Sequence, residues 1–457
     1  MQQVCNPLPV KQLKTYKFST RCVLHTAGGL PLFFRKFIQT ATPVLNHVTM
    51  RYFLLIGLCI GSTSFSATAQ QDIQKKLQRQ LILAEDGSTV EFPAGTFQLS
   101  STLSLEGKKK VILKGAGMDK TILSFKGQTE GAEGLRVSNA EQIIIRDLTV
   151  QDTKGDAIKT MQVSGISFLN VKTEWTGPPS KDNGAYGLYP VQCKQVLIDS
   201  CVAIGASDAG IYVGQSRDII VRNCLARHNV AGIEIENSLH AAVYHNEATE
   251  NTGGVLVFDL PDLVEKKGGH VKVYENNIHH NNLPNFAPKG NIVAQVPEGT
   301  GVMILATNNV ELYNNKIHYN NSVGTAVISY YMTEKPIKDS LYTPYPAAIS
   351  IHNNDYLREA VKFQGKGRMG LLFRFKLRFG KKVPHILYDG ILNEQWVDSN
   401  GQYKPAYRIC ISGNNNESFA NMDAANKFRN VSRNVAPYHC NGPQTEAGKL
   451  SYQALVK

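Results

Sequence analysis

The sequence predicts an all-β fold: a right-handed parallel β-helix, or solenoid, with an N-terminal capping helix and an irregular C-terminal cap. The main observation is a repeat. Each copy begins with a small residue and continues with two short stretches in which every second residue is mostly apolar. Its clearest copies open at Gly134, Ala157, Gly187, Gly210, Gly232, Gly254 and Gly301. They lie 23, 30, 23, 22, 22 and 47 residues apart, so loops interrupt a base period of about 22 residues. Two short strands per period, joined by turns of small or polar residues, are typical of a solenoid whose units bury their apolar faces against each other.

A second observation is the small polar residue that follows the second predicted strand. Thirteen places after the small residue stand Asp147, Asn170, Ser200, Asn223 and Asn314. If these side chains point inward, they can hydrogen-bond from one rung to the next. The sequence therefore predicts a polar ladder inside the solenoid.

The chain divides by composition into an N-terminal part and the solenoid. Residues 50–69 have the order of a secretory signal: the basic start Met50-Arg51, an apolar run, and the A-x-A site that ends at Ala69. Residues 1–49 show no periodic pattern, so we expect a non-native or disordered extension there, with Met50 as the start; an uncleaved anchor with a cytoplasmic tail is the alternative. We therefore expect a periplasmic or secreted protein whose mature chain has no transmembrane span.

Charge argues against nucleic acid as a partner. The whole chain has a formal charge of +12, but residues 1–69 contain seven Lys or Arg and no acid. Subtracting these seven charges leaves +5, which is too mild for a nucleic-acid-binding surface.

Helical spacing and cysteine positions define the two ends of the solenoid. Ile73, Leu77, Leu81 and Ala84 recur at helical spacing, so residues 70–84 are predicted to form the capping helix. We expect the β-helix over 70–354, and the final rungs with the C-terminal cap over 355–457. Cys410 and Cys440 bracket the loop-rich tail and are expected to form a disulfide in an oxidising compartment. Cys201 and Cys224 occupy equivalent places in adjacent rungs, which predicts that they stack.

The tail also contains a basic stretch, Lys362–Lys382, in which Leu and Phe recur. A basic amphipathic stretch can bind a membrane surface or an acidic glycan. The alternative is a capping element that packs its apolar side chains on the last rungs.

Particular segments resemble known families. Residues 86–125, with Pro-Ala-Gly at 93–95 and Gly-Ala-Gly at 115–117, resemble the N-terminal rungs of the pectate-lyase-like β-helix superfamily. The segments GAYGLYPVQC (184–193), SDAGIYVGQS (207–216), AGIEIENS (231–238), GGVLVFDLP (253–261) and NFAPKGNIVA (285–294) resemble a narrower family of exported bacterial parallel β-helix repeat proteins without an assigned activity. The resemblance implies the fold but no reaction. The basic catalytic strand motif of the lyases is missing, and residues 259–262 resemble the DPHD motif of alginate epimerases only loosely, without its His.

The candidate site is a strip on the outer surface of the solenoid. Strand neighbours point to opposite faces, so the residues two places after each small residue should point outward. They are Arg136, Lys159, Tyr189, Tyr212, Glu234, Leu256 and Met303. A parallel column two places further on contains Gly214, Glu236 and Phe258. A strip of cations, phenols and carboxylates suits an extended sugar chain, because aromatic rings stack on sugar rings and carboxylates accept hydrogen bonds from hydroxyls.

These residues yield catalytic and binding candidates. The catalytic candidates are Lys159, Tyr189, Tyr212 and Glu234. The substrate-binding candidates are Arg136, Trp175, Glu236, Phe258, Asp259 and Asn285, of which Trp175 and Asn285 lie on inserted loops. In β-elimination, Lys159 or Arg136 would neutralise a uronate carboxylate, while the tyrosines would act as base and acid, which requires a lowered phenol pKa. Glycoside hydrolysis would instead use Glu234 with Glu236 or Asp259. The alternative is that all of these are ordinary exposed side chains.

Two functional hypotheses follow. The leading one is an exported protein that binds a polysaccharide or acidic glycan on its outer face, either as a pure binder or as a lyase or epimerase. The alternative is a non-catalytic periplasmic scaffold or accessory protein. No cofactor is expected. Asp259, Asp262 and Glu265 could bind calcium, but they lack EF-hand spacing, and His279-His280 are expected to be turn residues, so no metal site is assigned.

Overall fold

The computed structural model describes residues 72–360, 371–372, 377, 379–442, 445–446 and 450, which all belong to one compact unit, Ser64–Lys457. The predicted signal segment 50–69, the extension 1–49 and most of the basic stretch lie outside the described residues. Within these residues, no helix is long and apolar enough to cross a membrane.

The described residues form a right-handed parallel β-helix, as predicted, in which a complete rung has three strands instead of two. We call the three sides of the solenoid faces A, B and C. The third strand is only three residues long, as in Leu225–Arg227, and buries a single side chain, Ala226. So short a strand has too few residues to display an alternating pattern, which is why the sequence indicated a turn there.

Parallel pairing along each face fixes the rung order. Face A consists of β3 (Ser101–Glu106), β6 (Glu130–Ser138), β8 (Ile158–Met161), β10 (Tyr186–Val191), β13 (Ala209–Gly214), β16 (Ala231–Glu236), β19 (Gly253–Phe258), β22 (Thr300–Leu305), β25 (Val323–Ile328), β28 (Ile386–Tyr388) and β30 (Phe419–Asn421). Face B consists of β1 (Thr89–Glu91), β4 (Ile112–Lys114), β7 (Glu141–Gln151), β9 (Ser164–Glu174), β11 (Lys194–Asp199), β14 (Arg217–Arg222), β17 (Leu239–Tyr244), β20 (Gly269–Tyr274), β23 (Asn308–Tyr313), β26 (Ala347–His352) and β29 (Ile409–Ser412). Face C consists of β2 (Gly95–Gln98), β5 (Thr121–Ser124), the second halves of β7 and β9, β12 (Val202–Ile204), β15 (Leu225–Arg227), β18 (Glu247–Thr249), β21 (Asn277–His279), β24 (Lys316–His318) and β27 (Asp355–Leu357).

Helical segments are short and lie at the ends and in the insertions. One α-helix, α1, spans residues 72–82. The 3-10 helices are Val293–Gln295, Tyr330–Thr333, Glu394–Trp396, Pro405–Tyr407, Ala424–Asn426 and Ala436–Tyr438. The insertion at 283–298 is therefore an ordered segment that begins after face C and ends before β22.

The predicted polar ladder is wrong by one residue. Asp147, Asn170, Ser200, Asn223 and Asn314 all have φ between 54° and 58° and form the corner between faces B and C. At such a corner the backbone is left-handed, a conformation that Asn and Asp tolerate better than most residues, and the side chain points outward. Asn223 is exposed and donates a hydrogen bond to Asp199.

The real ladder occupies the next position along the chain, which points into the solenoid. Asn246 donates to Asn276 Oδ1 over 3.0 Å, Asn276 donates to Asn315 Oδ1 over 2.9 Å, and Asn315 donates to Asn354 Oδ1 over 2.9 Å. Cys201 and Cys224 precede these residues in the same column, and the Cys201 amide lies 3.4 Å from Cys224 Sγ, which confirms their predicted stacking. A second ladder of Asn229, Asn251, Asn281 and Asn320 follows face C.

The N-terminal cap confirms the predicted helix. Leu77 and Leu81 of α1 are buried on the first rung of the core. Gln74 and Gln78, one helical turn apart, exchange hydrogen bonds with the backbone of β3, the first strand of face A. The helix thus covers the core and satisfies the backbone groups of an open sheet edge.

At the other end, Cys410 and Cys440 form the predicted disulfide. Strands of faces A and B continue to Asn421 with long insertions between them. Of the basic stretch, Phe379 is buried, and Leu372 and Leu377 pack against the same apolar cluster on the outside of face A.

Candidate functional site

The predicted strip lies on face A in the expected register. Arg136 pairs with Lys159, Lys159 with Tyr189, and Tyr212 with Glu234, which in turn pairs with Leu256. These side chains point away from the solenoid core. The local repeat therefore predicted their alignment correctly.

The strip is open at one end and covered at the other. Arg136, Lys159 and Tyr189 are half-buried and reach the surface. By contrast, Tyr212 is 4% exposed and Glu234 only 1%. The expectation of a continuous exposed strip is wrong beyond Tyr189, because inserted loops lie on the later rungs.

The cover is a second apolar cluster outside the solenoid. Val293 and Val296 of the 283–298 insertion, together with the aromatic rings of Tyr330 and Tyr342, are buried in one cluster with the strip residues of the covered rungs. The members contributed by face A are Tyr212, Leu256, Phe258, Met303 and Leu305. A periodic pattern cannot reveal this cover, because the loops come from sequence-distant insertions.

Three tyrosines meet where the cover ends. Tyr186 lies 4.5 Å from Tyr189 and 4.4 Å from Tyr212 between ring centroids, and Tyr189 meets Tyr212 edge-on at 5.0 Å. We call these three residues the tyrosine cluster. The sequence did not single out Tyr186, which directly precedes the small residue of its repeat; Glu133 and Asp156 occupy that same place in the two preceding copies and could have signalled a functional column.

Gly214 accommodates this cluster. A Cβ atom at position 214 would lie 2.4 Å from the Tyr212 ring and its hydroxyl, far inside van der Waals contact. The ring of Tyr212 thus fills the space that a side chain at position 214 would need. Any larger residue at position 214 would displace the ring from its partners.

Five carboxyl groups surround the tyrosines, and we call them the acidic cluster. They are Glu133, Asp156, Asp208, Glu234 and Glu236. Tyr212 donates a 2.5 Å hydrogen bond to Glu236 Oε1, and Asn291 of the inserted loop donates a 2.8 Å bond to Asp208. Among the described residues, Glu234 Oε2 is a buried oxygen without a hydrogen-bond partner. Asp208 and Asp156 were not predicted, because they lie before the small residue of the repeat and not after it.

Burial changes the protonation of this cluster. Desolvation raises the pKa of Asp156 to about 6, with Lys159 opposing the shift. Burial likewise raises the pKa of Asp208 and of Glu236 to about 7, and that of Glu234 well above its usual value. Burial therefore favours the protonated form of these carboxyls.

Burial, with the nearby carboxylates adding to it, also raises the pKa of Tyr186, Tyr189 and Tyr212. The hypothesis that a tyrosine serves as base required a lowered phenol pKa, whereas burial raises it at all three tyrosines. A neutral phenol can still donate a hydrogen bond or a proton.

Lys159 is a cation that lies beside Tyr189. Its Nζ lies 3.8 Å from Glu133 and 3.8 Å from Asp156, and 4.8 Å from the ring centroid of Tyr189. Its side chain is 23% exposed, so a ligand can reach it. Two carboxyls of the cluster already neutralise this ammonium group.

Of the remaining predicted binding residues, Trp175, Phe258 and Asp259 are buried, and Asn285 is half-buried. Trp175 is buried and donates its indole N–H to Thr153 O, and Phe258 is 1% exposed inside the second apolar cluster. Asp259 is buried and accepts from the Gly268 amide, while the Asn285 amide donates to two carbonyls of its own loop. Burial of Trp175, Phe258 and Asp259 corrects the expectation that these three side chains face a ligand, whereas Asn285 stays a prediction.

Metal binding finds no support among the described residues, which contain no group of three or more His, Cys, Asp or Glu that could hold an ion. Glu265, one of the calcium candidates, pairs with Arg217 at 2.8 Å. His279 pairs with Glu247 at 3.0 Å and lies 2.8 Å from His280 between Nδ1 atoms.

Comparisons with known proteins agree with the fold. Residues 120–262 match the family model described as a right handed beta helix region. The match covers about a third of the chain and agrees with the three-faced right-handed parallel solenoid described above. No protein of curated function matches it in sequence.

Solved structures with some similarity include enzymes and an adhesin. The mannuronan C-5 epimerase AlgE4 A-module of Azotobacter vinelandii is 16% identical, with 76% of this chain and 90% of that chain covered and a TM-score of 0.44. An alginate lyase from Paenibacillus sp. str. FPU-7 is 13% identical, with 62% and 95% covered and a TM-score of 0.36. PfbA, a surface adhesin of Streptococcus pneumoniae, is 10% identical, with 63% and 81% covered and a TM-score of 0.37. Similarity at this level assigns no reaction to the chain.

Proposed function

We propose that this protein binds an extended carbohydrate along the open rungs of face A. The observation that carries the proposal is the half-open cluster at the end of the loop cover. There the rings of Tyr186 and Tyr189 reach the surface beside Asp156 and Lys159. Rings can stack on sugar rings, while carboxyl and ammonium groups hydrogen-bond to sugar hydroxyls.

The rigidity of the solenoid supports such a role. Strand neighbours on face A are about 4.8 Å apart, so Arg136, Lys159 and Tyr189 present one side chain at each step of a straight row. A linear polymer can contact several rungs at once. Side chains held on strands also keep their geometry better than side chains on loops.

The chemistry of the site supports elimination less well than binding. A lyase or epimerase needs a cation that is free to neutralise a uronate and a group able to remove a proton from carbon. Lys159 is already engaged by Glu133 and Asp156, and the pKa of the Tyr189 phenol is raised. Asp156, with a pKa raised to about 6, is the surface group best suited to proton transfer. Acid–base action of Asp156 on a bound glycan is therefore our second candidate function.

We further propose that the protein works outside the cytoplasm. The Cys410–Cys440 disulfide supports this location, because disulfides persist in the periplasm and in secreted proteins and are rare in the cytosol.

A glycan array followed by calorimetric titration of the best ligand tests the proposal. Tyr189→Ala removes the surface ring and should weaken binding by about tenfold or more, the usual loss for an aromatic anchor. Tyr189→Phe keeps the ring and should retain most of the affinity. Tyr274→Ala, on face B, is the matched control and should leave affinity unchanged.

Product analysis of the bound glycan distinguishes the functions. New reducing ends or an unsaturated sugar that are lost in Asp156→Asn would support the second candidate. Binding without any product identifies a pure binder. If no polysaccharide binds, the proposal fails and the non-catalytic scaffold hypothesis takes its place.

A further inference from the structure

We propose that the site on face A takes a glycan that carries protonated amines, an amino-sugar polymer, in preference to a uronate polymer. This inference rests on the proposed carbohydrate-binding function and specifies its ligand. Its basis is the excess of acidic over basic side chains around the tyrosine cluster. Five carboxyls belong to the acidic cluster, whereas the described cations in the same strip are Arg136 and Lys159.

The contacts within the site leave this imbalance in place. Lys159 is shared between Glu133 and Asp156, so its charge is already matched. Among the described residues, the deeper carboxyls accept hydrogen bonds from neutral groups: Glu236 accepts from the phenol of Tyr212, and Asp208 accepts from the amide of Asn291. Hydrogen bonds from neutral groups hold a carboxyl in place but bring no positive charge to its ionised form.

Glu234 supplies the independent observation. Its side chain is 1% exposed and its Oε2 atom has no hydrogen-bond partner among the described residues, although Asp208 and Glu236 lie close enough to repel it. A buried unpartnered carboxyl oxygen is costly and calls for a donor or a cation nearby. A cation bound at the surface beside Asp156 and Tyr186 would reduce the electrostatic repulsion among the carboxyl groups of the acidic cluster.

A uronate would have the opposite effect. Its carboxylate would add a sixth acid to the cluster, and no described cation in the strip is free to neutralise it except Arg136 at the outer end. A protonated sugar amine instead can donate up to three hydrogen bonds and attract the ionised form of each carboxyl. Aromatic rings beside it, here Tyr186 and Tyr189, also attract cations.

Proton linkage makes the two cases measurable. A bound cation favours ionised carboxyls, so the acidic cluster should release protons when an amino sugar binds. A bound anion favours protonated carboxyls, so a uronate should cause proton uptake. Proton release is clearest at about pH 5.5, below the raised pKa values of the cluster, and proton uptake is clearest above about pH 7, where these carboxyls have lost most of their protons.

The experiment titrates the purified protein calorimetrically in two buffers of different ionisation enthalpy. The probes are a glucosamine tetrasaccharide, its N-acetylated counterpart and a galacturonic acid tetrasaccharide. We expect the glucosamine probe to bind about tenfold or more tightly than the N-acetylated one and to release protons, since a charge-assisted hydrogen bond is lost on acetylation. Tighter binding of the uronate, or proton uptake with the glucosamine probe, would overturn the inference.

A variant tests whether the released protons come from the acidic cluster. Glu236→Gln keeps an oxygen acceptor for Tyr212 but removes a titrating group, so fewer protons should be released per bound glucosamine probe. Glu141→Gln, an exposed acid on face B that pairs with Lys109, is the control and should leave the proton count unchanged. An unchanged count in Glu236→Gln would contradict the inference.

The outcomes also separate this inference from the proposed function. If the N-acetylated or the uronate probe binds best, the carbohydrate site stands and its preference for amines is refuted. If none of the three probes nor any other glycan binds, the proposed function itself fails.

Discussion

At the scale of single residues, one place along the chain decides whether an Asn is buried or exposed. Asn223 and Asn276 both follow the strand of face B in their rungs, but Asn223 occupies the left-handed corner and Asn276 the inward position after it. The sequence pattern around both is similar, because a corner Asn and a ladder Asn each end an apolar run. Only the backbone geometry separates them.

Matched substitutions test this assignment. Asn276→Ser shortens a buried side chain and breaks its bonds to Asn315 and to the amide of Asn246, at roughly 1–3 kcal/mol for each buried group left unsatisfied. Asn223→Ser makes the same change at an exposed corner where Ser200 already stands in the preceding rung. Calorimetric melting should show a clear fall in the melting temperature for Asn276→Ser and little change for Asn223→Ser. Equal melting temperatures would refute the interior ladder.

At the scale of elements, the insertions and caps cover surfaces of the solenoid that the repeats leave open. The 283–298 insertion turns the later rungs of face A into a second apolar core and brings Asn291 to Asp208. Helix α1 similarly closes the first rung. Its Leu77 and Leu81 side chains pack on the core, and its Gln74 and Gln78 side chains hydrogen-bond to the backbone of β3. The site thus lies on face A where the exposed rungs meet the rungs that the 283–298 insertion covers.

The capping role of α1 predicts a contrast between two leucines. Leu81 is 0% exposed on the first rung, whereas Leu83, just beyond the helix, is 62% exposed. Leu81→Ala should lower the free energy of unfolding by about 2–5 kcal/mol, because it leaves a cavity against the core. Leu83→Ala should change it by less than about 0.5 kcal/mol. Denaturant titrations of both variants provide the measurement, and a similar loss in each would show that α1 does not seal the solenoid.

At the scale of the whole molecule, the acidic cluster should make stability depend on pH. The pKa of Glu236 is raised from 4.5 to about 7 by burial, so the folded state binds this proton more strongly than the unfolded state does. Its stabilising contribution is therefore fully present below about pH 4.5 and is lost as the pH rises through about 7. Asp208, whose pKa is also raised to about 7, acts in the same direction.

The Glu236→Gln variant isolates this effect because the amide stays neutral. At pH values above about 7 it should be more stable than the parent, by on the order of 2 kcal/mol, whereas at about pH 4 the two should be nearly equal. Thermal melts at both pH values test the expectation, with the exposed Glu141→Gln variant as a control that should show no such difference. A gain that does not depend on pH would mean that Glu236 is not protonated in this way.

Sequence alone determined the solenoid, its rung register, the capping helix, the stacked cysteines and the disulfide. Each follows from a local signal: an apolar alternation, a helical spacing, or a pair of cysteines bracketing a tail. The strip from Arg136 to Met303 was aligned correctly for the same reason, since one period places equivalent residues on top of each other.

Tertiary structure decided which part of that strip a ligand can reach. Tyr212 and Glu234 stand in the predicted column, yet loops from beyond residue 283 bury them and raise their pKa values. Asp156, Asp208 and Tyr186 join the site from positions that the repeat did not mark. Burial and protonation arise from contacts between sequence-distant segments, and a periodic pattern of neighbouring residues contains no record of those contacts.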